Sequence, residues 1–268
     1  MNQLPNSLPN PLPALPSEFR KLVSSGAYRE QTSGVCPGYA QTNLVVLPSR
    51  YAYDFLLYSQ RNPYAIPLLE VTDTGGWRLS IIADADVRSD YPMYRIYING
   101  GLDAETPDIS RLWRSDFVSF HIGCSFSFES ALIEAGIPVR NIEEKKNVPM
   151  FDTNIPCRPA GIFSGNMVVS MRPIPYALVP RAVSITGQMP RVHGAPIHIG
   201  DPSLIGINDI NKPDYGEAVT INPGEVPVFW PCGVTPQNAL RNARPEICIT
   251  HSPGHMLVTD ITNASLRM

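Results

Sequence analysis

The stretch Phe117–Gly136, FVSFHIGCSFSFESALIEAG, decides the fold class. Its first part, Phe117–Cys124, is a short apolar run rich in aromatic and β-branched residues, the composition of a strand. Its second part, Ser125–Ala135, reads as a helix, and Gly136 stands where a helix C-terminus takes a left-handed turn. The same alternation extends outward. Upstream, Ser17 caps a helix carrying Phe19, Leu22 and Val23 at helical spacing, closed by Gly26. Leu44–Leu47 reads as a strand, and Ser49 opens a helix through Ala52, Phe55, Leu56 and Ser59 that stops at Asn62-Pro63. Pro67–Val71 and Met93–Ile98 read as strands, the second followed by the turn signal Asn99-Gly100-Gly101. Downstream, strands are predicted at Met167–Met171, Ile197–Ile199, Val226–Trp230 and Ile247–Thr250, and a helix from Thr235-Pro236 to Ala243. Strands alternating with helices predict an α/β fold, mainly a three-layer mixed-sheet core with a smaller α+β inserted domain. Residues 1–76 and 155–268 would form the main domain with the site loops, and residues 77–154 the insertion.

The chain has 268 residues, a hydrophobic fraction of 43% and a charged fraction of only 17%, against about 25% in a typical globular protein. Its 28 prolines are about twice the usual share of roughly 5%. This composition suits long packed connections rather than disorder, which needs few apolar residues and many charges. A net charge of −3 and the lack of a basic, aromatic-rich cluster point away from nucleic acid. No apolar run approaches the ~20 residues of a membrane span. The N-terminus, with five prolines before Ser17, lacks the pattern of a secretory signal and reads as an extended tail or packed arm. Five cysteines without a C-x-x-C pair argue against a disulfide framework or a structural zinc, and suit the cytoplasm.

Three predicted strands end in a reactive side chain: Cys124, Cys232 and His251. Ligands of α/β sheets bind beyond the carboxyl ends of strands, so these ends could share a crevice. Cys124 and Cys232 also precede predicted helices, whose N–H groups suit a carboxylate and would lower a thiol pKa. The plainer reading is that both are small buried hydrophobes. Four of the five histidines fall in two Gly/Pro-rich segments, Val192–Pro202 and Thr250–His255. His193, His198, His251 and His255 are therefore the candidates for proton transfer, with Asp201 orienting a histidine. A metal site of His193, His198, Asp201 and His251 is the alternative, without an H-E-x-x-H signature to support it. His121 reads as a structural residue within a strand. Arg172 and Arg140 are candidates to anchor a carboxylate, the plainer reading of each being an internal ion pair. Glu129 sits in the first turn of its helix, where a carboxylate is favourable without any function. No G-x-S-x-G, P-loop or strand-borne G-x-G-x-x-G is present.

The sequence closely resembles the hydro-lyase family that includes D-glutamate cyclase. The resemblance runs from about Phe19 to Asp260. It is carried by Thr32-Ser-Gly34, Pro37-Gly38-Tyr39, Gln41, Asn43-Leu44, Gln60–Pro63, Asp86–Asp90, Ile122–Glu129 and Ala135–Arg140. It continues through Asn147–Met150, Val168–Pro173, Val192–Pro202, Gly224–Trp230, Cys232–Gln237 and Pro253–Asp260. Cys36, Cys157, Cys248 and His121 depart from the family pattern, which argues against an essential role for any of them. The resemblance implies an enzyme that removes water from a small carboxylic acid, in the family's named case by closing D-glutamate to 5-oxo-D-proline. On that reading His251 or His255 would be the base, and His193 or His198, oriented by Asp201, the acid. Arg172, Cys124, Ser125, Cys232 and Gly233 would hold the carboxylate. No cofactor is expected, and a homodimer is a possible assembly. A non-catalytic carboxylate-binding or regulatory module and a metal-assisted hydro-lyase of a hydroxy acid are the alternatives.

Overall fold

The computed structural model describes residues 11–82 and 84–268. Residues 1–10, part of the expected N-terminal arm, lie outside the described residues. The larger of two sheets contains β1 (Tyr39–Pro48), β2 (Leu68–Val71), β3 (Tyr94–Ile98), β4 (Gly101–Thr106) and β5 (Phe117–Gly123). It is completed by β10 (Ile247–His251) and β11 (Leu257–Thr262), in the order β2-β5-β1-β10-β3-β4 with β11 also on β1. The smaller sheet, β6-β7-β9-β8, contains β6 (Met150–Pro156), β7 (Asn166–Pro175), β8 (His198–Ile199) and β9 (Glu225–Pro231). Residues 77–154 thus supply β3, β4 and β5 to one sheet and β6 to the other.

The α/β class expected from the alternating pattern holds, and neighbouring strands in both sheets run antiparallel. β1 is the pivot. One edge pairs with β5 from Thr42 to Pro48, while the other is shared by β11 and β10. Because β5 and β10 each oppose β1, they run parallel to one another. Their C-terminal ends, Gly123 and His251, therefore emerge on the same side of the sheet, with only β1 between them.

β1 is buried on both faces, which explains its unbroken Leu44-Val-Val-Leu47 run. Val45 and Leu47 pack toward Phe55, Phe120 and Phe163, whereas Leu44 and Val46 pack toward Tyr91, Tyr94 and Ile249. The period of two along the strand separates these two clusters. Six helices complete the described fold: α1 (Pro16–Ser24), α2 (Ala52–Arg61), α3 (Phe126–Glu134), α4 (Arg140–Glu143), α5 (Val179–Gly187) and α6 (Thr235–Ala243). α2 drives Phe55 against Phe120 with ring centroids 4.7 Å apart. α3 and α5 cover the smaller sheet through Phe128, Leu132, Ala182 and Trp230. No helix among the described residues is long and apolar enough to cross a membrane.

Candidate functional site

Asn43, in the middle of β1, is the hub of the candidate site. Its Nδ2 donates to the Gly123 carbonyl at 2.9 Å and the Ile122 carbonyl at 3.3 Å, holding the end of β5. From the other sheet, the turn after β9 lays Gly233 directly on Asn43. A Cβ at that glycine would stand 2.0 Å from Asn43 Nδ2, so only glycine permits this approach. Gly123 is similarly forced, since a Cβ there would meet the Arg191 carbonyl at 2.0 Å. That close contact brings the Val192–His193 loop to the end of β5.

Cys124 and Cys232 share one buried cluster, each immediately before the turn that starts α3 or α6. Burial pushes the Cys232 thiol up to about 11 and raises that of Cys124 as well. The thiolate-stabilising field expected of the two helix starts is outweighed by desolvation. These cysteines are walls, as are Cys36, Cys157 and Cys248, all free and buried.

Two of the expected histidines are fully buried next to it, His193 on the loop held against Gly123 and His251 against the Leu44 backbone. His193 Nδ1 lies 2.8 Å from the Tyr64 carbonyl, which requires the proton on Nδ1 and leaves a lone pair on Nε2. His251 Nδ1 instead accepts the Leu44 N–H at 3.1 Å, closer than its 3.5 Å approach to the Leu44 carbonyl, so Nε2 carries the proton. Each Nε2 is buried without a partner. Burial lowers His193 to about 4 and His251 to about 3, keeping both neutral near pH 7. The α6 side chain Gln237 donates to the His251 carbonyl and accepts from the Tyr97 hydroxyl, tying helix to strand.

The remaining expectations fare differently. His255 is near enough to act on His251, is lowered by burial, and has its Nδ1 against the Pro253 carbonyl at 3.1 Å. His198 and Asp201 lie on the far edge of the smaller sheet, where His198 packs on Phe229. The Asp201 carboxylate does not orient His198. It caps the turn at Ser203, whose hydroxyl and N–H lower its pKa, and His198 Nε2 meets the Asp201 backbone carbonyl instead. No group of three His, Cys, Asp or Glu side chains among the described residues is arranged to hold a metal ion. His121 is satisfied on both ring nitrogens, by Tyr91 and Ser119.

Arg172 is engaged internally rather than left open for a carboxylate. Its Nε and one terminal nitrogen bind Glu129, and its other bonds reach Ser125 and Ser170. Phe128 and Trp230 stack on the guanidinium at 5.1 and 5.7 Å. Arg140 likewise pairs with Glu225 at 2.5 Å. Glu129, read from sequence as a helix-terminus charge, is in fact a buried centre that also accepts from Ser33 and approaches Asn141. Its position among Phe128, Ala131 and Leu132 on a helix with few exposed positions was the available signal.

With this geometry in hand, a family model described as D-glutamate cyclase matches residues 118–260. The chain belongs to the D-glutamate cyclase family. Its relatives include a Clostridium beijerinckii protein named "Putative hydro-lyase", 62% identical over 253 residues and covering 94% of this chain and 97% of that one. A protein so named from Bacillus licheniformis is 58% identical over 92% of this chain and 94% of its own length. Another from Thermoanaerobacter sp. is 58% identical over 94% of this chain and 95% of its own. Among solved structures, a nitrogen repressor-like protein from Methanococcus jannaschii aligns over 85% of this chain and 88% of its own at 10% identity and a TM-score of 0.38, a likeness that carries no argument. For this D-glutamate cyclase family member, the strings Ile122–Glu129, Cys232–Gln237 and Pro253–Asp260 gather around Asn43 and the buried Arg172.

Proposed function

We propose that the protein is a dehydrating lyase that closes D-glutamate to 5-oxo-D-proline and water. Family membership supports the reaction class. The observation that supports the site is a pair of buried, neutral histidines at the ends of neighbouring elements, whose Nδ1 partners assign them opposite tautomers. In the closure, the substrate nitrogen attacks its own γ-carboxyl carbon. Two protons leave the ammonium nitrogen, and one γ-carboxyl oxygen departs with two protons as water. His193, with a lone pair on Nε2, suits the base that takes each proton from the nitrogen and passes it to the departing oxygen, and His251, neutral with Nε2–H, suits a hydrogen-bond donor to the γ-carboxyl oxygen. This moves the role of base read from sequence to His193. The α-carboxylate would lie at the N–H groups that open α3 and α6, where backbone donors favour an anion. Arg172 would then act through Ser125 and Glu129, as a positioning residue. Holding amine and carboxyl in attack geometry contributes several kcal/mol by itself, about 7–11 in favourable intramolecular systems.

Incubation with D-glutamate, read by mass spectrometry for a product lighter by one water, tests the reading. Absence of product at high enzyme concentration, together with no binding of D-glutamate or 5-oxoproline, would remove this substrate.

A further inference from the structure

Thr32 and Ser33, in the connection between α1 and β1, bond to two separate parts of the candidate site. Thr32 is fully buried and grips the turn between β10 and β11 on both sides of His255. Its N–H donates to the Gly254 carbonyl at 2.8 Å. Its hydroxyl donates to the same carbonyl at 3.2 Å and accepts the Met256 N–H at 3.1 Å. From another side, Asn147 Nδ2 donates to the Pro253 carbonyl at 3.2 Å, and a Cβ at Gly254 would stand 2.4 Å from that nitrogen. Thr32 is itself held by Gln41 of β1, whose Nε2 donates to its carbonyl at 2.8 Å.

Ser33 reaches the other way. Its hydroxyl donates to Glu129 Oε2 at 2.9 Å and accepts from Asn141 Nδ2 at 3.0 Å. Arg172 takes Glu129 Oε1 with both Nε and a terminal nitrogen, so Ser33 is the donor to the second carboxylate oxygen. Arg172 also donates to Ser125 Oγ at 3.3 Å, where α3 begins. A run of buried hydrogen bonds thus leads from Ser33 through Glu129 and Arg172 to the start of α3.

We propose that Thr32 and Ser33 are positioning residues for the cyclisation, Thr32 acting through the turn that follows His251 and Ser33 through the α-carboxylate subsite. The proposal rests on the lyase reading. β10 runs from His251 directly into the turn that Thr32 anchors, so the anchor sets how the strand leaves that imidazole. Loss of the Thr32 hydroxyl strips the buried Met256 N–H of its partner, while the backbone bond to Gly254 remains. A shifted turn misaligns the donor to the γ-carboxyl oxygen, which is felt in kcat. Loss of the Ser33 hydroxyl frees one Glu129 oxygen, loosens Arg172 on Ser125, and is felt in KM.

The test is steady-state kinetics on D-glutamate for the wild type, Thr32→Val, Thr32→Ser and Ser33→Ala, with amide hydrogen exchange over Ser252–Met256. Thr32→Val is expected to lower kcat by about 10- to 100-fold at a KM within about twofold of the wild type. Thr32→Ser, which keeps the hydroxyl, is expected to recover kcat to within about threefold. Ser33→Ala is expected to raise KM about tenfold with little change in kcat. Exchange over Ser252–Met256 should quicken about tenfold in Thr32→Val and hold steady in Ser33→Ala. Wild-type kcat in a folded Thr32→Val, or a loss that Thr32→Ser does not reverse, would overturn the proposal. If Thr32→Val does not fold, a lowered kcat at unchanged KM in Ser33→Ala overturns it instead. No 5-oxoproline from the wild type would remove the lyase reading itself, and the anchoring of the turn would then stand or fall on the exchange result alone.

Discussion

Arg172 and Glu129 form an ion pair at 2.5 Å whose side chains are 0% and 2% exposed. Taking both charges out of water is costly, and the pair persists because Ser33, Ser125 and Ser170 satisfy what remains. Breaking it from one side leaves an uncompensated buried charge. Glu129→Gln is therefore expected to destabilise the protein by about 3–5 kcal/mol. Arg172→Met should cost a similar amount, and the double variant less than the sum of the two, as urea midpoints would show. Additive effects would mean that the pair is not energetically coupled.

Gly233 is the contact through which the smaller sheet reaches the hub residue. Gly233→Ala pushes a methyl into Asn43 Nδ2 and should cost about 1–3 kcal/mol through overpacking. Thermal melting would register this as a lower midpoint. An unchanged midpoint would show that the turn after β9 can back away from β1.

How far the molecule was legible in its sequence follows from these residues. β5 and α3 were readable because apolar strand and helical patterns stand side by side with a glycine to end them. The edge strand β4 was not, since Gly101-Leu-Asp-Ala-Glu-Thr106 alternates only through Leu102 and Ala104 and is otherwise made mostly of Gly, Asp and Glu, which are depleted in strands. Nor was α5, whose Val179, Val183, Ile185 and Thr186 favour strands locally and turn helical under tertiary packing. The site divides similarly. Histidines in Gly/Pro loops were visible as chemistry-bearing residues, but nothing local distinguishes His193 and His251, which turn inward, from His198 on an exposed edge. That the two ends of β5 and β10 would meet depends on their shared neighbour β1, a relation of pairing and not of sequence.

Stability should fall with pH below neutrality. Burial lowers His193 to about 4, and His251 and His121 to about 3. Unfolded histidines titrate near 6.5, so between about pH 6.5 and 4 the unfolded chain binds more protons and the fold weakens as pH falls. The contribution is complete above pH 6.5, and each histidine loses about 1.4 kcal/mol per pH unit below it. Asp90, raised by burial to about 6, acts in the opposite direction between pH 6 and 4, but it is one group against three. Melting temperatures measured from pH 7.5 to 4.5 should therefore decline. A flat or rising profile would contradict the burial of these imidazoles.

The cysteines should be inert. All five are buried, and burial raises the thiol pKa at each. A thiol-specific chromogenic disulfide should find no fast-reacting group in the native protein and five after denaturation. Rapid native labelling of Cys124 or Cys232 would reopen a nucleophilic role for that residue.

The most direct measurement compares the wild type with His193→Gln and His251→Gln on D-glutamate, following 5-oxoproline by mass spectrometry and substrate affinity by calorimetry. The account predicts turnover by the wild type, and in each variant a loss on the order of 10²-fold or more with D-glutamate still bound. No 5-oxoproline from the wild type, or wild-type turnover in either variant, would contradict it.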